Sequence, residues 1–78
     1  MVKTVNLYTK EACPLCEEAY QLLEGLRQDV DFSLNTIDIY QDEQLLEKFM
    51  LMIPVVEIEG EIVGFGQISK KSVRKRLL

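Results

Sequence analysis

Two cysteines three residues apart, Cys13 and Cys16, stand where a polar turn gives way to a helical pattern in KEACPLCEEAYQLLEGL, residues 10–26. A pair so spaced can exchange disulfides, supply half of a metal site, or pack as two small apolar residues in a core. Cys13 falls at or just before the helix start, where free backbone N–H groups and the positive end of the helix dipole stabilise an anion. Such surroundings bring a thiol pKa from about 8.5 into a range of roughly 3.5 to 7.5, and the thiolate is the species that attacks a disulfide. Lys10 is near enough in sequence to help, whereas Glu11, Glu17 and Glu18 oppose it through like charge. Cys16, one turn further into the helix, is placed to be less exposed and to resolve a mixed disulfide formed at Cys13.

The competing chemistries leave specific marks. A closed zinc site takes four ligands, and this chain offers two cysteines and no histidine, so zinc within one chain would need two carboxylates as well. Two chains together would offer four sulfurs to zinc or to an iron–sulfur cluster. The alternative from a different class is therefore a binding module that presents a metal or cluster through Cys13. A third reading is a non-catalytic interaction domain whose thiols are idle and whose basic end docks a partner.

The elements that must position the pair follow from the pattern around it. VKTVNLY (residues 2–8) is β-prone and stops at the polar TKEAC. Leu15, Ala19, Leu22, Leu23 and Leu26 form one apolar stripe, which predicts a helix from about Pro14 to Gln28, with Pro14 suited to its first turn. FSLNTIDIY (residues 32–40) predicts a second strand. Asp42 then offers an N-cap to a short helix containing Leu45, Leu46 and Phe49. PVVEIEGEIVGF reads as two strands joined at Glu59-Gly60, and the last segment as a helix capped by Ser69 with Val73 and Leu77 inward. The order β-α-β-α-β-β-α predicts an α/β fold: a four-stranded mixed sheet with a parallel βαβ unit, an antiparallel hairpin and three helices on its two faces. The central strand should be the one that ends at the cysteines or the one that begins at Pro54. Asp38, inside an apolar run, is either an inward proton acceptor or a strand-end residue. Met50 and Met52 are expected to pack.

Seventy-eight residues, 47% of them apolar and 28% charged, bound the chain to one small globular domain, 1–78, expected to fold alone as a monomer. The opening MVKTVNLYTK lacks the apolar core of a signal peptide and no run approaches a membrane span, so a cytoplasmic location is expected, where a close cysteine pair is more often catalytic or metal-binding than structural. The net charge of −4 argues against charge-driven binding of nucleic acid. That charge is unevenly spread: residues 1–66 hold all thirteen acids and four bases, and residues 67–78 hold five bases and no acid. A solvated helix face complementing its own dipole explains the basic end; a docking patch for an acidic partner is the other reading.

These residues resemble the glutaredoxin family of the thioredoxin-like fold, in particular its short bacterial glutaredoxin-like members, over nearly the whole chain. YTKEACPLC (residues 8–16) is similar to the family's aromatic, lysine and Cys-Pro-x-Cys stretch, and MIPVVEIEGEIVGFG (residues 52–66) to its proline-led hairpin with glycines behind it. The resemblance implies a thiol-disulfide oxidoreductase with no bound cofactor, acting on protein disulfides or glutathione mixed disulfides, with glutathione or a thioredoxin-reductase-type flavoenzyme as electron donor. It implies Cys13 as nucleophile and Cys16 as resolving thiol. It further implies a cis Pro54 beside them, the Ile53 backbone pairing with an extended substrate, Lys10 near a glutathione carboxylate, Gly64 at a carboxylate site, and Tyr8 and Phe65 bordering the groove. Two departures bear on glutathione. Phe65 replaces a glycine and Ile68 stands where an acid is expected, and Glu11, Glu17 and Glu18 should repel an anion within a Debye length of about 10 Å. A protein partner with a basic rim around its disulfide escapes that repulsion.

Overall fold

Alternation decides which way each strand faces. In strand β1 (Lys3–Thr9), Val5 and Leu7 are fully buried on one face while Asn6 and Tyr8 point to the other. A computed structural model describes residues 2–78, in which helix α1 (Pro14–Leu26), strand β2 (Phe32–Asp38), a 3-10 turn (Ile39–Gln41), helix α2 (Glu43–Phe49), strands β3 (Val55–Ile58) and β4 (Glu61–Phe65), and helix α3 (Lys70–Leu77) follow. The sheet order is β2-β1-β3-β4, with β1 parallel to β2 and the other pairs antiparallel. Both strands expected at the centre, the one ending at the cysteines and the one starting after Pro54, are there.

Each face has its own core. Val5, Leu7, Phe32, Val56 and Ile58 meet Ala19, Leu23 and Leu26 of α1 and Val73 and Leu77 of α3. Tyr8, Ile39, Phe49 and Val55 form a smaller cluster under α2. The break in alternation along β2 is a change of face: Phe32 and Leu34 pack toward α1 and α3, and Ile37 and Ile39 toward α2.

Local chemistry ends the elements. Asp42 Oδ1 accepts from Gln44 N at 2.9 Å and Ser69 Oγ from Ser72 N at 3.3 Å, the two N-caps expected. Glu59 and Gly60 both have positive φ, 49° and 83°, which is the geometry a two-residue hairpin turn requires. Lys3 Nζ donates to the Arg76 carbonyl at 2.9 Å and so satisfies an orphan acceptor near the end of α3.

Four expectations need correction. Helix α1 ends at Leu26 and not Gln28, because the amides of Gln28 and Asp29 bond three residues back, to Gly25 and Leu26, and tighten the last turn. Ile39 and Tyr40 leave the strand for the 3-10 turn, because Asp38 Oδ1 captures Tyr40 N at 2.9 Å; Asp38 is thus a strand-end cap. Leu15 is 43% exposed, since the buried stripe of α1 runs through Cys16, Ala19, Leu23 and Leu26 and leaves Leu15 to one side. Met50 is half exposed where α2 gives out, while Met52 packs against the α2 cluster.

Away from α2, no helix among the described residues covers the second face, and its row of side chains is polar except at Ile62. Asn35, Asn6, Glu57 and Ile62 stand opposite one another across all four strands. Asn35 Nδ2 donates to Asn6 Oδ1 (3.1 Å), Asn6 Nδ2 to Glu57 Oε1 (2.9 Å), and Tyr8 OH to the same Glu57 oxygen (3.0 Å). Each group is satisfied sideways, which is how a sheet face can remain half-open to water.

Candidate functional site

Strand β1 delivers the chain to the site and a strained turn aims it. Ala12 has φ 52°, in the left-handed region unfavourable to a residue with a Cβ, and Cys13 returns to extended backbone as the N-cap of α1. Pro14 takes the first helical position, where its missing N–H removes no bond. The consequence is chemical. Cys13 Sγ lies 3.2 Å from Cys16 N and accepts its hydrogen bond, so the capping atom of this helix is sulfur. An N-cap acceptor with the dipole behind it is stabilised further when it carries negative charge.

The two cysteines form a disulfide, with Cα atoms 5.2 Å apart. Cys13 is half-buried and Cys16 is 4% exposed, so Cys13 is the more accessible of the two. An open trough of about 890 Å³ adjoins them on the side of β2, bordered by Lys10, Glu11 and Glu17, by Tyr20 of α1 and by Thr36 of β2. A second hollow continues beyond the Lys10–Ala12 loop to Asp38 and Tyr40.

Pro54 opens β3 on the other flank. Its peptide bond with Ile53 is cis and its side chain is buried. Pairing of Tyr8 with Val55 sets Thr9, the last residue of β1, across from Pro54, so this loop and the cysteine turn leave the same end of the sheet. The Ile53 amide is not free to pair with a substrate: it donates to the Phe49 carbonyl at 3.2 Å, beside the Met52 amide at 2.8 Å. Gly66, at φ 70°, fixes the loop from behind by donating to both Met52 O (3.0 Å) and Pro54 O (2.8 Å).

The remaining candidates are scattered. Lys10 borders the trough with both cysteines. Phe65 is 56% exposed on β4 opposite Val55, outside that trough. Gly64 has room for a Cβ, which would meet Ile68 Cδ1 at 3.5 Å, so no close approach demands a glycine there. Tyr8 does not border the groove: it is 7% exposed, its ring 4.7 Å from that of Phe49, and its hydroxyl points along the sheet to Glu57. The correction follows from register, since the residue before Thr9 faces α2. Sequence reasoning missed Gly66, Tyr20, Thr36 and Tyr40. The first could have been found as the glycine that ends the hairpin; the others come to the site only through the tertiary fold.

Burial pushes the Tyr8 phenol above its ordinary value, and Glu57 raises it further by hydrogen bond and by charge, against a smaller opposing contribution from Asn6. The fold therefore holds the neutral phenol. That stabilisation is intact below the unfolded value of about 10 and is lost as pH rises through it toward the higher folded value. Tyr8→Phe is expected to flatten the fall in stability above about pH 10, measured by urea midpoints across the alkaline range. Equal slopes in the two proteins would contradict the linkage.

Residues 4–78 match the family described as Glutaredoxin-like domain (DUF836). Among solved structures, the chain is similar to protein Ne2328 from Nitrosomonas europaea, with 24% identity, a TM-score of 0.89, and 100% of this chain and 94% of that one covered. A target protein from X. campestris gives 23%, 0.78, 94% and 93% on the same measures. A thioredoxin from Halobacterium salinarum gives 16%, 0.72, 96% and 71%. At these identities the likeness establishes a thioredoxin-like fold. No helix among the described residues is long and apolar enough to cross a membrane.

Proposed function

Because the chain belongs to the family of the Glutaredoxin-like domain (DUF836), we propose that it is a thiol-disulfide oxidoreductase that reduces protein disulfides through Cys13 and Cys16. The observation that carries this reading is the Cys16 N–H bond to Cys13 Sγ at the helix N-cap, with the accepting sulfur accessible and its neighbour buried. In the reduced protein the same bond and dipole favour the Cys13 thiolate. The thiolate attacks one sulfur of a substrate disulfide. That S–S bond breaks, a mixed disulfide forms at Cys13, and the departing substrate sulfur takes up a proton. Cys16 then loses its proton and attacks Cys13 Sγ, which expels the second substrate thiol and closes the Cys13–Cys16 disulfide. Two electrons and two protons have passed to the substrate, and glutathione or a thioredoxin-reductase-type flavoenzyme returns them.

Protein disulfides are favoured over glutathione mixed disulfides by the surroundings. On the α3 side of α1, the hollow next to Gly66–Ile68 is only about 130 Å³ and is bordered by Leu15, Leu22 and the Glu18 carboxylate. That is a poor receptor for an anionic tripeptide.

Intact mass of the wild type after equilibration across graded ratios of reduced to oxidised glutathione tests the redox reading. The expected result is a passage from two free thiols to an internal disulfide, two hydrogens lighter, with a definite midpoint. Two free thiols at every ratio would overturn it.

A further inference from the structure

The β2 side of the disulfide carries a combination of groups for which the redox cycle has no use. The trough that reaches Cys13 and Cys16 and the hollow beyond it share Lys10, Glu11 and Ala12, so the two flank that loop. An aromatic residue stands in each: Tyr20, 38% exposed, on α1, and Tyr40, 59% exposed, on the 3-10 turn. Asp38 holds Tyr40 there by accepting its amide at 2.9 Å, so the ring is carried on a fixed turn and not on a loose loop. Three carboxylates, Glu11, Glu17 and Asp38, border these two hollows against one cation, Lys10, and none of the four is in an ion pair among the described residues.

Aromatic faces and carboxylates are the two kinds of group that recognise a guanidinium or ammonium. The rings act through their quadrupole, and the carboxylates through charge and acceptance of N–H donors. An anionic side chain would find excess negative charge there and a single cationic donor side chain. An uncharged apolar one would leave the carboxylates to lose water without return.

We infer that the surface on the two sides of the Lys10–Ala12 loop, the trough and the hollow beyond it, receives an arginine or lysine side chain from the protein segment that carries the substrate cysteine, which makes Tyr20, Tyr40 and the three carboxylates determinants of specificity for basic partners. The inference names the substrate class for the oxidoreductase proposed above and rests on it for its biological sense, although the recognition itself requires no turnover. The acidic excess of the first 66 residues would add long-range attraction for the same partners.

The test uses Cys16→Ser, which keeps one reactive thiol and cannot cycle. Short peptides are prepared whose cysteine is activated as a mixed disulfide with thionitrobenzoate and which carry arginine, its neutral isostere citrulline, or glutamate within about two residues of that cysteine. Cys13 thiolate attacks the peptide sulfur, the activated S–S bond breaks, and thionitrobenzoate leaves with the electron pair and is read by its absorbance. The arginine peptide is expected to react about fivefold to tenfold faster than the citrulline peptide, and the glutamate peptide slowest. The preference should shrink as salt is raised from about 0.05 to 0.5 M, where screening shortens. Tyr20→Leu with Tyr40→Leu, or separately the exposed change Glu17→Gln, should bring the arginine-to-citrulline ratio toward one. A change in Cys13 reactivity as such moves all three peptides together, so the ratio isolates recognition. Equal rates for the three peptides at low salt, or an undiminished ratio in the double tyrosine variant, would overturn the inference. The oxidoreductase reading stands or falls separately, on the wild-type disulfide equilibrium.

Discussion

Cys16→Ser is expected to hold a protein substrate as a stable mixed disulfide at Cys13 and to lower steady turnover by on the order of a hundredfold or more. The reason is one of concentration. Cys16 stands one helical turn from the attacked sulfur, Cα to Cα 5.2 Å, and a group so placed competes with an outside thiol at millimolar concentration as though it were present in great excess. With serine there, release waits for a thiol from solution. Cys13→Ser should instead prevent any attachment, since the buried Cys16 is closed to a protein partner. Non-reducing electrophoresis with a disulfide-bonded test protein separates the two variants. Normal turnover by Cys16→Ser would mean that the first sulfur works alone and that Cys16 belongs to the core.

Phe49→Ala is expected to cost about 3–5 kcal/mol, a large part of the roughly 4–12 kcal/mol that a chain of this size holds. Phe49 is 1% exposed and is the anchor by which the short helix α2 meets Tyr8, Ile39 and Val55. Lys48 Nζ sits 5.1 Å from its ring centroid, so one face of the ring also carries a cation. The effect should reach the site, because the Phe49 carbonyl receives the Met52 and Ile53 amides that hold the segment before Pro54. Urea unfolding measures the first effect, and the rate of disulfide reduction under conditions where the variant is folded measures the second. A loss below about 1 kcal/mol would show that α2 contributes little to holding the fold.

What the sequence made legible was whatever depends on spacing. The stripe of α1 apart from Leu15, the caps at Asp42 and Ser69, the Glu59-Gly60 turn and the placing of Cys13 ahead of Cys16 at a helix start all follow from residues within one or two turns of each other, and each is present. What escaped it depends on register. Tyr8 has the look of a groove residue until pairing with Val55 turns it toward α2. Ile37 and Ile39 read as imperfect alternation until the change of face explains them. The irregularity between Val56 and Glu57 has the same character: it lets Ile62 stand opposite Glu57 and Gly64 opposite Val56, and so decides on which face Phe65 emerges. Tyr40 was hidden for a simpler reason, because an Asp38 cap competes with strand hydrogen bonds and propensity alone favours the strand.

The uncovered row from Asn35 to Glu57 bears on how copies of this protein meet in a crowded solution. A half-bare sheet face is a flat plate, and a flat apolar plate would invite a second molecule to lie on it. Here the plate displays amides and a carboxylate that already bond to one another. A stacked neighbour would strip water from Glu57 without offering a bond better than those in place. The ladder thus gives a thinly clad sheet a stretch of surface that is costly to dehydrate.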